Sequence, residues 1–219
     1  MDVPESKNPP AEEHGQAMRW QQRKAALTRE AILDAAVDCL VERGYTGLTT
    51  IEVTRRAGIS RGAMHHHFAT RMEMVAALID HVLTLRLDRF LKDYLASLER
   101  DPDEDVIAVA SELHWQAMLT PEFAAYLELT MVARTDRKLA DLLVPATVAS
   151  DREWLRAMTE AFPQWQGNPE ALLLANDLTV AVHVGLLVNR PYIGDRERRA
   201  AVRSKLIEVL REIHGEGQP

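Results

Sequence analysis

Three helix-start signals crowd into residues 49–73, and they leave that segment of the 219-residue chain little freedom. Thr49-Thr50-Ile51-Glu52 is a capping box: a hydroxyl at the N-cap can accept from the amide three residues on, and a Glu there can reach back. It opens a short helix ending at Ala57. Gly58 then permits the positive φ that turns a chain sharply. Ile59 supplies an apolar plug, and Ser60 can cap a second short helix over about residues 61–67. Thr70-Arg71-Met72-Glu73 is a second capping box, opening a long helix towards residue 99. Two short helices joined by Gly58-Ile59-Ser60 form a helix-turn-helix, whose second helix can enter a DNA major groove.

The rest of the chain also reads as helices, with no convincing alternation of strand type. Ile32, Ala35, Ala36, Cys39 and Leu40 form the stripe of an amphipathic helix over about residues 29–43. Thr28 is its expected N-cap and Gly44 its expected C′ residue. Further on, Asp101 is expected to cap a helix with Pro102 at its first position, running to about Met118. Thr120-Pro121-Glu122 opens another, to about Arg134. A helix over about residues 136–161 should kink or break at Pro145. Asn168-Pro169-Glu170 opens the next, to about Val188, and Asp195 the last, to about Ile213. The expected fold is all-α. The expected organisation is a disordered tail over 1–17, a DNA-binding helix-turn-helix domain over 18–75, a helical-bundle ligand-binding and dimerisation domain over 76–214, and a second tail over 215–219.

The net charge of −7 speaks against a nucleic-acid partner, but its distribution does not. Residues 1–15 carry −3, residues 16–75 carry nine bases against six acids for +3, and residues 76–219 carry −7. The basic block coincides with the helix-turn-helix. A single cysteine, Cys39, excludes an intrachain disulfide framework and a multi-cysteine zinc site. The first seventeen residues lack the apolar run of a signal peptide, so a cytoplasmic protein is expected.

Within the basic block, Arg29, Arg61 and Arg71 each stand at an expected first helical position, where the helix dipole disfavours a cation. Such a placement becomes favourable when an anion binds, and amides plus an arginine make a phosphate seat. In the reading helix, Gly62 and Ala63 are small enough for close approach to base edges, and Ala63 can meet a thymine methyl. His65 and His66 can donate to phosphate, while Met64 and Phe68 form the apolar face. His67 reads equally well as a partly buried, hydrogen-bonded side chain. Three consecutive histidines diverge by about 100° each on a helix, so they do not converge on one metal ion. The stretch Met18-Arg19-Trp20-Gln21-Gln22-Arg23-Lys24 is either a basic arm or the frayed start of the first helix.

These residues together carry a resemblance. Thr28-Arg29-Glu30-Ala31-Ile32-Leu33-Asp34-Ala35-Ala36, Gly44-Tyr45, Leu48-Thr49-Thr50-Ile51, the run from Ala57-Gly58-Ile59-Ser60 through Phe68, and Arg71 resemble the DNA-binding domain of the TetR (tetracycline-repressor-like) family over about residues 24–75. The resemblance implies an all-helical homodimer with three N-terminal DNA-binding helices and a C-terminal bundle that takes a small ligand. It implies DNA contacts at Thr49, Thr50, Arg61, Gly62, Ala63, His65, His66 and Arg71. The family most often has tyrosine where His65 stands and lysine where Arg71 stands.

Beyond about residue 80 the residues must speak for themselves. Residues 171–188 are apolar nearly all round, apart from Asn176, Asp177, Thr179 and His183. Such a helix is buried on more than one side. Asp177, His183 and the lack of a second such segment argue against a membrane span. Packing against its own core and a second subunit explains it better. The last helix, with Ala201, Val202, Leu206, Val209 and Leu210, would join it in a four-helix dimer interface. A pocket between bundle helices is expected to be lined by His114, Trp115, Met118, Phe123, Tyr126, Met131, Trp154 and His183. It would suit a large, mostly apolar small-molecule effector, with Arg134 and Asn176 as further polar candidates. No catalytic constellation and no cofactor motif stands out. The chain therefore reads as a ligand-responsive regulator of a palindromic double-stranded DNA operator, most simply a repressor. The alternative is a helical ligand-binding or interaction module that does not use its helix-turn-helix for DNA.

Overall fold

A computed structural model of the chain describes residues 11–100, 105–161 and 167–215, and the elements among them are helices without a strand. They are α1 (Ala11–Gly47), α2 (Thr50–Arg56), α3 (Arg61–His67), α4 (Arg71–Arg100), α5 (Val106–Ala117), α6 (Pro121–Ala133), α7 (Arg137–Ala161), α8 (Pro169–Val188) and α9 (Arg196–Ile213). They fall into two compact units, Met1–Val75 and Ala76–Pro219, so the boundary lies within α4.

In the first unit the expected stripe of α1, Ile32, Ala35, Ala36, Cys39 and Leu40, is buried in full. Around it lie Leu48 and Val53, with Met64, Phe68, Met74 and Val75. The start of α1 corrects the sequence reading. The helix begins at Ala11, inside the expected tail. It runs through Thr28 without a cap, and the Thr28 hydroxyl instead donates to the Lys24 carbonyl at 2.9 Å, one turn back. The intervening Trp, Gln, Arg, Lys, Ala and Leu residues are adequate helix formers, and nothing in them stops the helix. Lys24 lies 5.2 Å over the Trp20 ring, one turn apart. Residues 1–10 and 216–219 lie outside the described residues.

The later boundaries follow the side chains that close them. Gly44 has φ 67, which breaks the helical path of α1 and suits only glycine there. Thr49 Oγ1 accepts from the Glu52 amide at 3.2 Å and caps α2. Gly58, at φ 63, turns the chain, and the Ser60 hydroxyl accepts from the Ala63 amide at 3.1 Å to cap α3. At Thr70 the Glu73 amide donates to Thr70 Oγ1 at 3.1 Å, while the Glu73 carboxylate reaches back one residue beyond the cap and accepts from the Ala69 amide at 3.0 Å.

The second unit is a helical bundle. Tyr94, Met158 and Leu172 form one apolar cluster, with Phe90, Leu113 and Trp154 packed on it. Ile107, Ala175, Leu206 and Leu210 form another, which joins α5, α8 and α9. Arg211 pairs with Asp105, and Arg203 with Glu112, so α9 is tied to α5 by charge as well. The cap of α5 corrects the sequence reading, because it is Asp105 that accepts from the Ile107 and Ala108 amides, at 3.1 and 3.0 Å. Asp101 and Pro102 lie outside the described residues. Nor does Pro145 split its helix, since α7 runs through it. Helix α8 is long and apolar enough to cross a membrane, with mean hydropathy 1.9. Its Leu172, Ala175, Thr179, His183 and Leu186 are nevertheless buried in the bundle, two of them polar. Leu174, Ala181 and Val188, seven residues apart, face outward.

Arg71 holds the first unit together. Its guanidinium donates to the Leu48 carbonyl at 2.6 Å and to the Tyr45 carbonyl at 2.8 Å, and it lies 4.3 Å over the Tyr45 ring. The Leu48 carbonyl lies in the link between α1 and α2, and the Tyr45 carbonyl, which also accepts from the Leu48 amide at 3.3 Å, lies in the last turn of α1 beyond the break at Gly44. Replacing Arg71 by Ala is therefore expected to cost the unit about 2 kcal/mol, the value of the charge-assisted hydrogen bonds it removes. Chemical denaturation of the variant checks this. Unchanged stability together with a flattened salt dependence of DNA binding would return Arg71 to the phosphate role.

Candidate functional site

The buried half of α3 decides what its other half can do. Met64 and Phe68, one turn apart, are buried in the first unit. That orientation leaves Arg61, Gly62, His65 and His66 exposed, with Ala63 and His67 half-buried at the edges. His67 packs beside the rings of His66 and Phe68, and burial, then His66 and Arg29, hold its pKa below the ordinary histidine value. A Cβ added to Gly62 would find only Ser60 Oγ, at 3.8 Å, so the unit's own packing does not demand glycine there. The first turn of α3 carries no acid, and Arg61 stands at its first position. Among the described residues Arg61 has no ion-pair partner.

Most other cations of the basic block are engaged elsewhere. Glu52 accepts from Arg55 at 2.7 Å and from Arg56 at 2.9 Å, and Arg43 lies 3.4 Å away. Arg56 also pairs with Glu42 at 2.6 Å. The hydrogen bonds from Arg55 and then Arg56 hold the Glu52 carboxyl down at about 2. Glu52 therefore serves this cluster and not the back-bonded half of a capping box. The expected helix-start position of Arg29 needs correction, whereas Arg71 does stand at the first position of α4. Arg29 lies in the middle of α1, where no dipole end exists, and its guanidinium sits 5.1 Å over the Phe68 ring. Arg71 clasps the α1–α2 link. Thr49 and Thr50 remain at the start of α2, exposed and half-buried.

The second unit holds a cavity of about 490 Å³ among α4, α5, α6, α7 and α8. Of the expected lining residues, His114, Met118, Phe123, Tyr126 and Trp154 are there. Three are not. Met131 points outward from α6 and is half exposed. His183 is fully buried behind the wall, where its Nδ1 meets His114 Nδ1 at 3.0 Å. Trp115 stands edge-on to His183 at 5.4 Å, with Arg203 over its ring. Burial first, then nearby charge from His183 and Arg86, lowers His114 to about 3, and burial with Arg203 lowers His183 to about 4. Both imidazoles are therefore neutral near pH 7, and one donates its Nδ1 proton to the other.

Arg86 is the lining residue that sequence reasoning missed. It shares its inward helix face with Leu83, Leu87 and Phe90, and a cation on an apolar stripe is the signal that pointed to it. Its guanidinium lies 4.9 Å over the Phe123 ring and 4.1 Å over the Tyr126 ring. Arg134 does not line the cavity, whereas Asn176 does.

Known proteins match this arrangement. Residues 32–78 match the family model described as bacterial regulatory proteins, tetR family. The HTH-type transcriptional regulator CymR of Pseudomonas putida is 29% identical over 200 residues, covering 89% of this chain and 94% of its own length. An HTH-type transcriptional regulator of Mycobacterium bovis is 32% identical over 125 residues, 57% of this chain and 63% of its own. The multidrug binding protein EbrR complexed with imidazole shares the fold with a TM-score of 0.58 at 18% identity, covering 81% of this chain and 93% of that one. EbrR complexed with proflavin gives 0.54 at 19%, covering 85% and 99%. The helix-turn-helix segment thus carries a match to the tetR family of bacterial regulatory proteins, and the chain is similar along most of its length to a transcriptional regulator and shares an all-helical fold with solved structures.

Proposed function

We propose that the protein is a ligand-responsive transcriptional repressor that acts in the cytoplasm as a homodimer and releases a palindromic operator when a small molecule enters the second unit. The observation that carries the reading is the division of α3 into a buried face, Met64 and Phe68, and an exposed face of Arg61, Gly62, His65 and His66. In this reading the exposed face enters the major groove. Arg61 meets a guanine edge or a phosphate, Ala63 a thymine methyl, and His65 and His66 phosphates. Thr49 and Thr50 add backbone contacts at the start of α2. Arg29 and Arg71 drop out of the contact set, because their guanidiniums serve the unit's own packing.

The outward stripe of Leu174, Ala181 and Val188 on α8, with exposed Ala201 and Val202 on α9, supports a dimer through the last two helices. Two reading helices would then meet half-sites about 34 Å apart or a little more. The cavity supports the ligand side, as does the binding of imidazole and proflavin by EbrR, which has the same fold. A ligand can shift the equilibrium between operator-bound and released states only by its preference for one of them.

Titration of random-sequence duplex DNA with salt tests the reading against a module that leaves its helix-turn-helix unused. A steep loss of affinity with salt is expected, and Arg61→Ala should lower that slope by about one unit. No binding at low salt would contradict the proposal. Gly62→Ala separates folding from reading. It should leave thermal stability unchanged or slightly raised, by up to about 0.5 kcal/mol. It should also weaken operator binding, because the added methyl stands between helix and base edges. Unchanged operator affinity would place the close approach elsewhere. Ala181→Arg should convert the dimer to a monomer in sedimentation equilibrium while preserving helical content, and a persisting dimer would move the interface off α8.

A further inference from the structure

The second-unit cavity holds a guanidinium that the protein itself leaves without a counter-ion. Arg86 is packed against the faces of Phe123 and Tyr126, and among the described residues no carboxylate comes within ion-pair distance of it. Ring faces offset part of the lost hydration of a buried cation, and Tyr126 also takes one hydrogen bond, but a guanidinium has five N–H donors and the rest have no carboxylate within ion-pair distance. Burial is the leading influence on the group and pulls its pKa below the ordinary arginine value. A second polar group in the same wall is also unanswered. Ser111 is 2% exposed, lines the cavity, and its hydroxyl has no hydrogen-bond partner. His114 lines it too, and with Nδ1 engaged by His183 its Nε2 is the ring nitrogen left for a ligand. Arg86 and Ser111 thus offer donors from α4 and α5, and His114 adds its Nε2–H in the tautomer in which His183 donates its Nδ1 proton to His114, a set suited to a carboxylate's lone pairs.

Two acids line the cavity as well, and they set the limit on the ligand's charge. Asp151 on α7 and Asp177 on α8 are both exposed. Burial first, and then Asp177, raises the Asp151 carboxyl above its ordinary value, while Arg86 pulls it down. Exposed carboxylates retain water and gain less from a ligand cation than a ring-packed guanidinium gains from a ligand anion. The same two carboxylates would repel a second negative charge on a ligand.

We infer that the cavity takes an amphipathic monocarboxylate, an aromatic or hydrocarbon acid whose carboxylate meets Arg86, Ser111 and His114 while its apolar body lies against Phe90, Phe123 and Trp154. The inference rests on the reading of this cavity as the effector site and names the chemistry that site selects. It narrows the large apolar ligand that the sequence suggested to one with a single anionic end.

Calorimetric titration of the full-length protein with three matched probes tests it: 2-naphthoate, neutral 2-naphthamide and the cation 2-naphthylmethylammonium. The acid is expected to bind about tenfold or more tighter than the amide, as a charge-assisted pair replaces a neutral one, and the cation weakest. Arg86→Met should abolish the preference for the acid over the amide, and unchanged helical content and thermal midpoint show that the variant is folded. Ser111→Ala should weaken the acid by a smaller factor and spare the amide. Equal binding of acid and amide, tighter binding of the cation, an acid preference that survives Arg86→Met, or no binding of the acid would each overturn the inference. Acid binding through Arg86 that leaves DNA affinity unchanged would uphold the inference and contradict the effector role.

Discussion

The burial of Met64 and Phe68 is the constraint on which the DNA-reading surface depends. A seven-residue helix has too few internal hydrogen bonds to persist alone, so α3 exists because its apolar face is buried in the first unit and its N-terminus is capped by Ser60. Once those two side chains are fixed, the helical period leaves no choice about where Arg61, Gly62, His65 and His66 point. Gly58 sets the turn that brings α3 to this position, and Arg71 closes the link between α1 and α2 on the other side. Specificity, stability and chain reversal are thus met by different residues within one short segment.

Charge is handled by the same division of labour. Within the +3 block, Arg43, Arg55 and Arg56 gather on Glu52 and Glu42, and Arg71 turns inward. What remains outward on the reading helix is a small number of cations at defined positions. A protein built this way relies on paired reading helices and base contacts more than on bulk attraction to phosphate. In the second unit the economy is reversed, with a cation kept inside the cavity between two rings and acids placed where water reaches them.

Much of this was legible in the residues. The all-α fold, the helix-turn-helix, the caps at Thr49, Ser60, Thr70, Thr120, Asn168 and Asp195, and the buried stripe of α1 all rest on local chemistry that a sequence displays directly. The misreadings share a physical origin too. Thr28 has the side chain of an N-cap, but a threonine hydroxyl can equally bond one turn back, and the preceding residues continued the helix. Arg71 stands at a helix start as expected, but only the tertiary placement of the Tyr45 and Leu48 carbonyls reveals the partners its donors have within the unit. His183 sits on the right helix for a pocket, and packing put His114 in front of it. Arg86 lies on α4, ahead of the helices that supplied the expected pocket residues, and its sign in the sequence is a cation on an inward, otherwise apolar helix face.

The account stands or falls on whether the exposed face of α3 reads DNA as one half of a symmetric pair. Selection of bound duplexes from a random pool by the full-length protein measures this directly. The account predicts a palindrome whose half-sites lie about one helical turn apart or a little more, with the consensus lost when Gly62 is replaced by Ala. Enrichment of no sequence, or of a consensus without two-fold symmetry, would contradict it.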